Sequence, residues 1–233
     1  MAKNKVEIES HADKLRRREM RIKVLKIGLL STTLFLIIIY FLLRLFYNSG
    51  DFTIILDQGL SRDKGIIMYE SLKDKVNRMI LTAARPDTMD NISINWLPKN
   101  LDTEADGSHN GLNYIAYTFY LENQGLDTNY WYSIVIDDVI KNVDDAARIE
   151  VYLNGQSTVY AKMGANGQPE PGTTPFYSDK YVCMQERTGM KTGDIDKFTV
   201  VIWVEGDDPQ CLDNIIGGEM KMHMEMQEEK ILQ

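Results

Sequence analysis

The chain has 233 residues and a formal net charge of −8, but this charge is unevenly divided. Residues 1–47 hold 10 Lys and Arg against 4 Asp and Glu, giving +6, whereas the remainder holds 16 against 30, giving −14. The hydrophobic content of 44% is too high for a disordered chain. The acidic remainder is long enough for one domain with a core, and its charge argues against nucleic acid and anionic lipid surfaces as partners.

Residues 27–43 contain no charged side chain. At ~1.5 Å per residue, a helix of this length spans about 26 Å, slightly less than the ~30 Å hydrocarbon core of a bilayer. Leu45, Phe46 and Tyr47 extend the apolar stretch if Arg44 reaches into the headgroups. The sequence therefore predicts a transmembrane helix over residues 27–47, which makes the lipid bilayer the first expected partner.

The residues that flank this helix predict its orientation. Seven basic residues lie just before it, and the positive-inside rule places residues 1–26 in the cytoplasm as a short basic segment and residues 48–233 outside the cell. A cleaved signal peptide is the competing interpretation, but a small-x-small cleavage site is missing after the apolar run. We therefore expect an uncleaved signal anchor. The seven basic residues are Lys14, Arg16, Arg17, Arg18, Arg21, Lys23 and Lys26.

After residue 52 the hydrophobic pattern has the two-residue period of β-strands. In residues 219–226 four methionines alternate with Glu219, Lys221, His223 and Glu225, which predicts a strand with one dry face. A methionine row can bind a soft metal such as copper, although packing of the thioethers into a core is far commoner.

Further strands are predicted along the whole domain. Asn154-Gly155 predicts a tight hairpin between residues 149–153 and 158–160, and a short helical turn is expected near residues 142–147. Many short strands without a long amphipathic helix favour an all-β fold, an antiparallel β-sandwich of jelly-roll or immunoglobulin-like type. The other predicted strands are 52–56, 65–69, 78–83, 92–96, 114–123, 130–136 and 198–204.

Catalytic motifs are scarce in this sequence. The expected extracellular part has two histidines, His109 and His223, and neither a His-Glu-x-x-His nor a Gly-x-Ser-x-Gly motif occurs. A zinc hydrolase built from these histidines and carboxylates is conceivable. His223 is better explained as a solvent-facing residue of the methionine strand, and His109 as a loop residue. We therefore expect a protein that is not an enzyme.

Residues 102–111 form the segment most like a binding site. Asp102, Glu104 and Asp106 lie at alternate positions before Gly107, which resembles the first half of an EF-hand calcium loop. The twelfth position holds Asn113 instead of the bidentate Glu. Calcium bound by these three carboxylates is one prediction, and an acidic turn before a strand is the alternative.

Residues 205–209 hold a second group of carboxylates, Glu205, Asp207 and Asp208. The segment follows a predicted strand directly. It is typical of a tight loop in which the aspartates accept hydrogen bonds from backbone N–H groups, with calcium as the alternative.

Cys183 and Cys211 both lie in the part predicted to be outside the cell, where a disulfide can form. Closing this loop would stabilise the fold by roughly 3–4 kcal/mol. The alternative is that each thiol is a small buried side chain, since many single-membrane bacteria oxidise surface thiols inefficiently.

Residues 200–222 resemble the C-terminal signature of the TasA/camelysin group of Gram-positive surface proteins. A Trp-x-Glu-Gly-Asp-Asp-Pro-x-Cys segment is followed there by Gly-Gly-Glu-x-Lys-Met. The residues that carry the likeness are Trp203, Glu205, Gly206, Asp207, Asp208, Pro209, Cys211, Gly217, Gly218, Lys221 and Met222.

The resemblance implies a jelly-roll sandwich at the cell surface, and in some members a subunit of biofilm-matrix fibres that form by strand donation. Camelysin-like members are described as metalloproteases, but no zinc motif is present here to carry that activity over. Members of the group usually lose a signal peptide, whereas this chain is expected to keep its anchor.

We therefore expect a membrane-anchored cell-surface protein whose β-sandwich binds or assembles. Its expected partners are other surface or membrane proteins, or a second copy through a sheet edge. The alternatives are an extracellular metal-dependent hydrolase and an accessory subunit of a membrane complex.

Overall fold

The computed structural model describes residues 2–46, 52–86 and 88–229. The chain divides into two units, Met1–Ser49 and Gly50–Gln233. The first contains α1 (Ala2–Phe46), in which Met20–Phe41 is long and apolar enough to cross a membrane, as a signal sequence would also be. Hydroxyls within α1 donate to carbonyls three or four residues earlier, for example Thr32 Oγ1 to Gly28 O at 2.9 Å. The polar side chain is thus satisfied without water.

The second unit is a β-sandwich of two sheets, so the all-β prediction is confirmed. Its strands are β1 (Thr53–Leu56), β2 (Ile66–Tyr69), β3 (Ile80–Thr82), β4 (Gly107–Ser108), β5 (Tyr114–Asn123), β6 (Thr128–Ile140), β7 (Ala147–Leu153), β8 (Gln156–Ala161), β9 (Thr174–Pro175), β10 (Tyr181–Met190), β11 (Ile195–Val204) and β12 (Glu219–Gln227). One sheet has the strand order β10-β6-β12-β1-β3, and the other β2-β5-β11-β7-β8-β9 with β4 also paired to β5. Neighbouring strands are antiparallel except in the pairs β1–β12 and β8–β9.

The main core lies between the sheets. On β12, Met222, Met224 and Met226 are buried in it, as the alternating methionines predict. The β11 strand is apolar on both faces because it lies between β5 and β7 and contacts two separate clusters. Its Val201 and Trp203 pack on the outer face of the larger sheet with Leu97 and Leu101. Both faces of the larger sheet are therefore covered at this point.

Short helical segments complete the sandwich. They are α2 (Gln58–Arg62), α3 (Leu101–Glu104) and 3-10 turns at Ile94–Trp96, Val143–Asp145 and Asp213–Ile215. The turn at Val143–Asp145 confirms the helical turn expected near residues 142–147. The hairpin between β7 and β8 is also confirmed, with φ of 53° at Asn154 and 82° at Gly155.

The strand predicted at residues 92–96 is wrong, and β4, β9 and β10 are missing from the predictions. Residues 92–96 are not a strand, because Ile92 forms a single bridge to Glu205 and the chain then turns into the 3-10 segment. The β10 strand was not predicted. Its residues beyond Met184 are mostly polar and exposed, since β10 lies at the edge of its sheet and, among the described strands, pairs only with β6.

Candidate functional site

The loops 88–97, 141–146 and 205–218 meet at one end of the sandwich, here called the loop end. Its organising side chain is Glu205, which is buried just after β11. Glu205 Oε2 accepts from Trp203 Nε1 and from the Ile94 backbone N–H, both at 3.0 Å. Glu205 Oε1 accepts from the Asp207 N–H at 3.2 Å. One carboxylate thus fixes the 3-10 turn against the outer face of the sheet and closes its own loop.

A buried ion pair lies beside this carboxylate. Arg148 of β7 donates through Nη2 to Asp208, and both side chains are almost fully excluded from solvent. Glu170 lies 3.8 Å from the same guanidinium nitrogen. Asp208 also accepts from the Gln210 N–H at 2.7 Å, as expected for a tight loop. The carboxylates of residues 205–208 therefore hold the loops together.

The sequence gives little indication of Arg148 and Glu170 as partners of this loop. Arg148 is a single charge at the start of an otherwise apolar strand, which could have indicated a buried counter-ion. Glu170 lies in a Pro- and Gly-rich loop whose position depends on tertiary structure.

A cavity of about 510 Å³ opens at the loop end between the two sheets. Phe52, Met220 and Met222 line it from the smaller sheet, and Ile115 and Ile202 from the larger. The 205–218 loop forms part of its rim, where Leu212 and Ile216 are 61% and 67% exposed. The volume is in the range of small-molecule sites. The hydrophobic pattern alone does not predict this cavity, because the same residues would form a closed core.

The segment that holds the three carboxylates predicted to bind calcium contacts other parts of the sandwich. Asp102 and Glu104 lie in α3, and the Asp102 carbonyl accepts from Lys197 Nζ. Asp106 accepts from Tyr120 Oη at 2.6 Å and from Ser71 Oγ at 2.8 Å. In the described residues no group of three or more His, Cys, Asp or Glu side chains is arranged to hold a metal. The calcium site stays a prediction.

The electrostatics of Asp106 follow from these contacts. Burial alone would raise the pKa of its carboxyl, but the hydrogen bonds from Tyr120 and Ser71 outweigh burial and hold it below its ordinary value. Asp106 therefore stays ionised and connects β5 to the loop after β2.

His109 is more buried than a loop residue is expected to be, with 6% of its side chain exposed. Its Nε2 lies 3.0 Å from Thr118 Oγ1. Its Nδ1 is buried without a hydrogen-bond partner in the described structure, 3.7 Å from a Glu104 oxygen. Burial lowers the pKa of His109, although Glu104 acts in the opposite direction.

His223 lies on the outer face of β12 but is only partly exposed. Its Nδ1 is 2.8 Å from Asp137 and its Nε2 is 3.0 Å from Glu225. Burial works to lower the pKa of His223, but the hydrogen bonds to these two carboxylates raise it above its ordinary value. The two histidines lie in separate environments and do not contact each other. One environment lowers the pKa of His109 and the other raises the pKa of His223.

The candidate disulfide is not formed in the structure, where both cysteines are free. Cys183 lies on β10 and is buried in the main core, and burial raises the pKa of its thiol to about 12. Cys211 lies in the 205–218 loop and lines the cavity. Burial and the nearby Asp208 carboxylate raise the pKa of Cys211. The two thiols stay separate because Cys183 lies in the core and Cys211 lies in a loop.

Comparison with known proteins adds little. No protein-family model and no curated protein matches the chain. A β-glucosidase from Kluyveromyces marxianus in complex with glucose aligns at 13% identity and a TM-score of 0.28, over 71% of this chain and 16% of its own. The selenomethionine-labelled enzyme gives 12% identity and a TM-score of 0.26, over 72% and 16%. The chain thus spans about one sixth of these structures, and a likeness this weak carries no argument.

Proposed function

We propose that this protein is a membrane-anchored cell-surface module related to the TasA/camelysin group. In this proposal α1 crosses the membrane with residues 1–26 in the cytoplasm, and the sandwich lies outside. The apolar segment Met20–Phe41 and the basic residues before and at its start support this orientation.

The sandwich serves binding or assembly. The observation that carries this proposal is the engagement of Glu205 and Asp208 in internal contacts with Trp203, Ile94 and Arg148. The segment that resembles the surface-protein group thus has a structural role, because it fixes loops on the sheet. Glu205 and Asp208 are engaged in internal hydrogen bonds and an ion pair, so they are poor candidates for acid–base chemistry.

The proposed assembly surface is the β10 edge. Among the described strands, β10 pairs with β6 alone. Near its start the Tyr177 N–H already donates to the Val182 carbonyl, so the side open to an added strand lies beyond Val182. At the opposite edge of the same sheet, β3 has three residues. The exposed side chains of β10 include Gln185, Glu186 and Thr188. These polar groups leave backbone pairing as the main source of affinity.

Chemical cross-linking of the full chain in mild detergent tests this function. Thr188→Lys places a charge on the edge and is expected to reduce cross-linked oligomers about fivefold. Thr103→Lys, at an exposed position in α3, is the matched control and is expected to leave them unchanged. Equal oligomer yields in both variants, or chelator-sensitive hydrolysis of casein by the purified chain, would contradict the proposal.

A further inference from the structure

The cavity at the loop end has the chemistry of an apolar binding site. Its walls combine Phe52, Met220 and Met222 from one sheet with Ile115 and Ile202 from the other. The polar residues that also line the cavity are exposed, whereas Phe52, Met222, Ile115 and Ile202 are buried. Water against these buried walls finds few hydrogen-bond partners, so its displacement there by an apolar group is favourable. The two methionines have flexible thioether side chains that adapt to a ligand of variable shape. These walls suit an alkyl chain better than a polar metabolite.

The rim of the cavity is also apolar in part. Leu212 and Ile216 expose most of their side chains on the loop that borders it. Trp96 is 78% exposed on the 3-10 turn that Glu205 fixes at the same end. Several large apolar side chains exposed at one end of a domain mark an interaction surface, and an exposed Trp is typical of a membrane interface.

The covalent chain brings a bilayer within reach of this end. Phe52 lines the cavity and is the first described residue after α1, from which residues 47–51 separate it. However those five residues are arranged, a chain of this length spans no more than about 20 Å. If α1 spans the membrane, the acyl chains of the bilayer lipids are therefore apolar groups within reach of the cavity.

The charges around the rim restrict the type of lipid. Arg85 lies with Asp90, Asp213 and Glu219 among the residues that line the cavity. These mixed charges, on a strongly acidic domain, disfavour an anionic headgroup and are compatible with a zwitterionic one.

We propose that the cavity at the loop end takes an acyl chain of a zwitterionic membrane lipid, with Leu212, Ile216 and Trp96 resting at the bilayer surface. The inference rests on the proposed function, because it requires α1 to span the membrane. It adds a lipid site that holds the sandwich against its own membrane and leaves the β10 edge free to pair.

A fluorescent probe on Cys211 tests this directly. Cys211 lies at the cavity, whereas Cys183 is buried in the core and is expected to stay unlabelled in the folded protein. The full chain is reconstituted in nanodiscs of phosphatidylcholine with brominated acyl chains, which quench a nearby probe. The control places the thiol at Leu126, 84% exposed at the far end of β5, as Leu126→Cys with Cys211→Ser.

The probe at Cys211 is expected to be quenched about threefold more strongly than the probe at Leu126→Cys, which lies roughly 30 Å away along the ten-residue β5 strand. Ile216→Asp, at an exposed rim position, is expected to reduce the difference without affecting folding. Equal quenching at the two positions would overturn the proposal. A Cys211 probe that is shielded from aqueous iodide but not quenched by bromine would also overturn it, because another occupant then fills the cavity.

Failure of this proposal can be separated from failure of the proposed function. Release of the full chain from membranes by alkaline carbonate would show that α1 does not span and would overturn both. Full retention in the carbonate pellet with equal quenching at the two positions would overturn the lipid site alone. Nanodiscs expose lipid on both sides, so the orientation in the cell does not affect the result.

Discussion

The two acidic segments of the sandwich have similar composition but different roles. In residues 205–208, buried carboxylates accept hydrogen bonds from an indole and backbone N–H groups and pair with Arg148. In residues 102–106, the carboxylates lie nearer the surface, where Asp106 accepts from hydroxyl groups and Glu104 lies near His109. The first segment joins several loops at one end of the sandwich, whereas the second lies on the outer face of the larger sheet, where Asp106 connects β5 to the loop after β2. Burial of the Glu205 and Asp208 carboxylates themselves, and not the number of carboxylates, distinguishes the two segments.

The largest effect is expected from breaking the buried ion pair. Arg148→Met leaves the Asp208 carboxylate buried without its counter-ion and is expected to destabilise the fold by about 4 kcal/mol. The double variant with Asp208→Leu removes both charges and should recover at least half of that loss. Urea unfolding of the full chain in detergent, followed by tryptophan fluorescence, measures both.

The exposed ion pair Lys64–Glu228, at 2.8 Å, provides the control for that experiment. Lys64→Met is expected to leave the urea midpoint unchanged, because solvent screens this pair. A loss at Arg148 no larger than the loss at Lys64 would show that the loop-end ion pair is not structural.

The second effect distinguishes the two segments directly. Glu205→Ala removes the acceptor of three N–H groups and is expected to cost about 3 kcal/mol. Asp102→Ala, in the other segment, is expected to cost less than about 0.5 kcal/mol. The same unfolding measurement compares them, and similar losses in both variants would show that the two segments contribute equally to stability.

The third effect is a pair of opposite pH dependences. The pKa of His223 is raised in the folded state, so its contribution to stability is present below the unfolded pKa and is lost as pH rises through the folded value. The pKa of His109 is lowered, so its contribution is present above the unfolded pKa and is lost as pH falls. Relative to wild type, His223→Gln should be most destabilising near pH 5.5 and His109→Gln near pH 7.5. Urea midpoints across this range should show opposite slopes; equal slopes would disprove the assignment.

The smallest effect concerns calcium. Both oxygens of Asp106 already accept hydrogen bonds, so millimolar calcium is expected to shift the thermal midpoint by less than about 1 °C. A larger rise that Asp106→Asn abolishes would establish the calcium site predicted at Asp102, Glu104 and Asp106.

Much of the sandwich follows from local patterns in the sequence. The alternation on β5, β11 and β12 predicts which side chains enter the core, and Asn154-Gly155 fixes a hairpin. The β10 strand escapes prediction because an edge strand needs little apolar alternation. The 3-10 turn at Ile94–Trp96 escapes it because the turn depends on Glu205, more than a hundred residues later.

The candidate sites depend more strongly on tertiary structure. The spacing of Asp102, Glu104 and Asp106 suggests a shared ligand, but hydroxyl groups from other segments satisfy Asp106. The spacing of the cysteines does not show that one is in the core and the other at the cavity. The cavity itself is lined by residues from both sheets and from distant loops, which no local pattern predicts.

The most direct test of the anchored surface module is lysine labelling on intact cells with a membrane-impermeant amine reagent, mapped by mass spectrometry. Lys99 and Lys191 are exposed on the sandwich and are expected to be labelled before lysis. Lys23 and Lys26, at the start of the apolar segment, should be labelled only after permeabilisation. Labelling of Lys99 and Lys191 only in lysed cells would contradict the account.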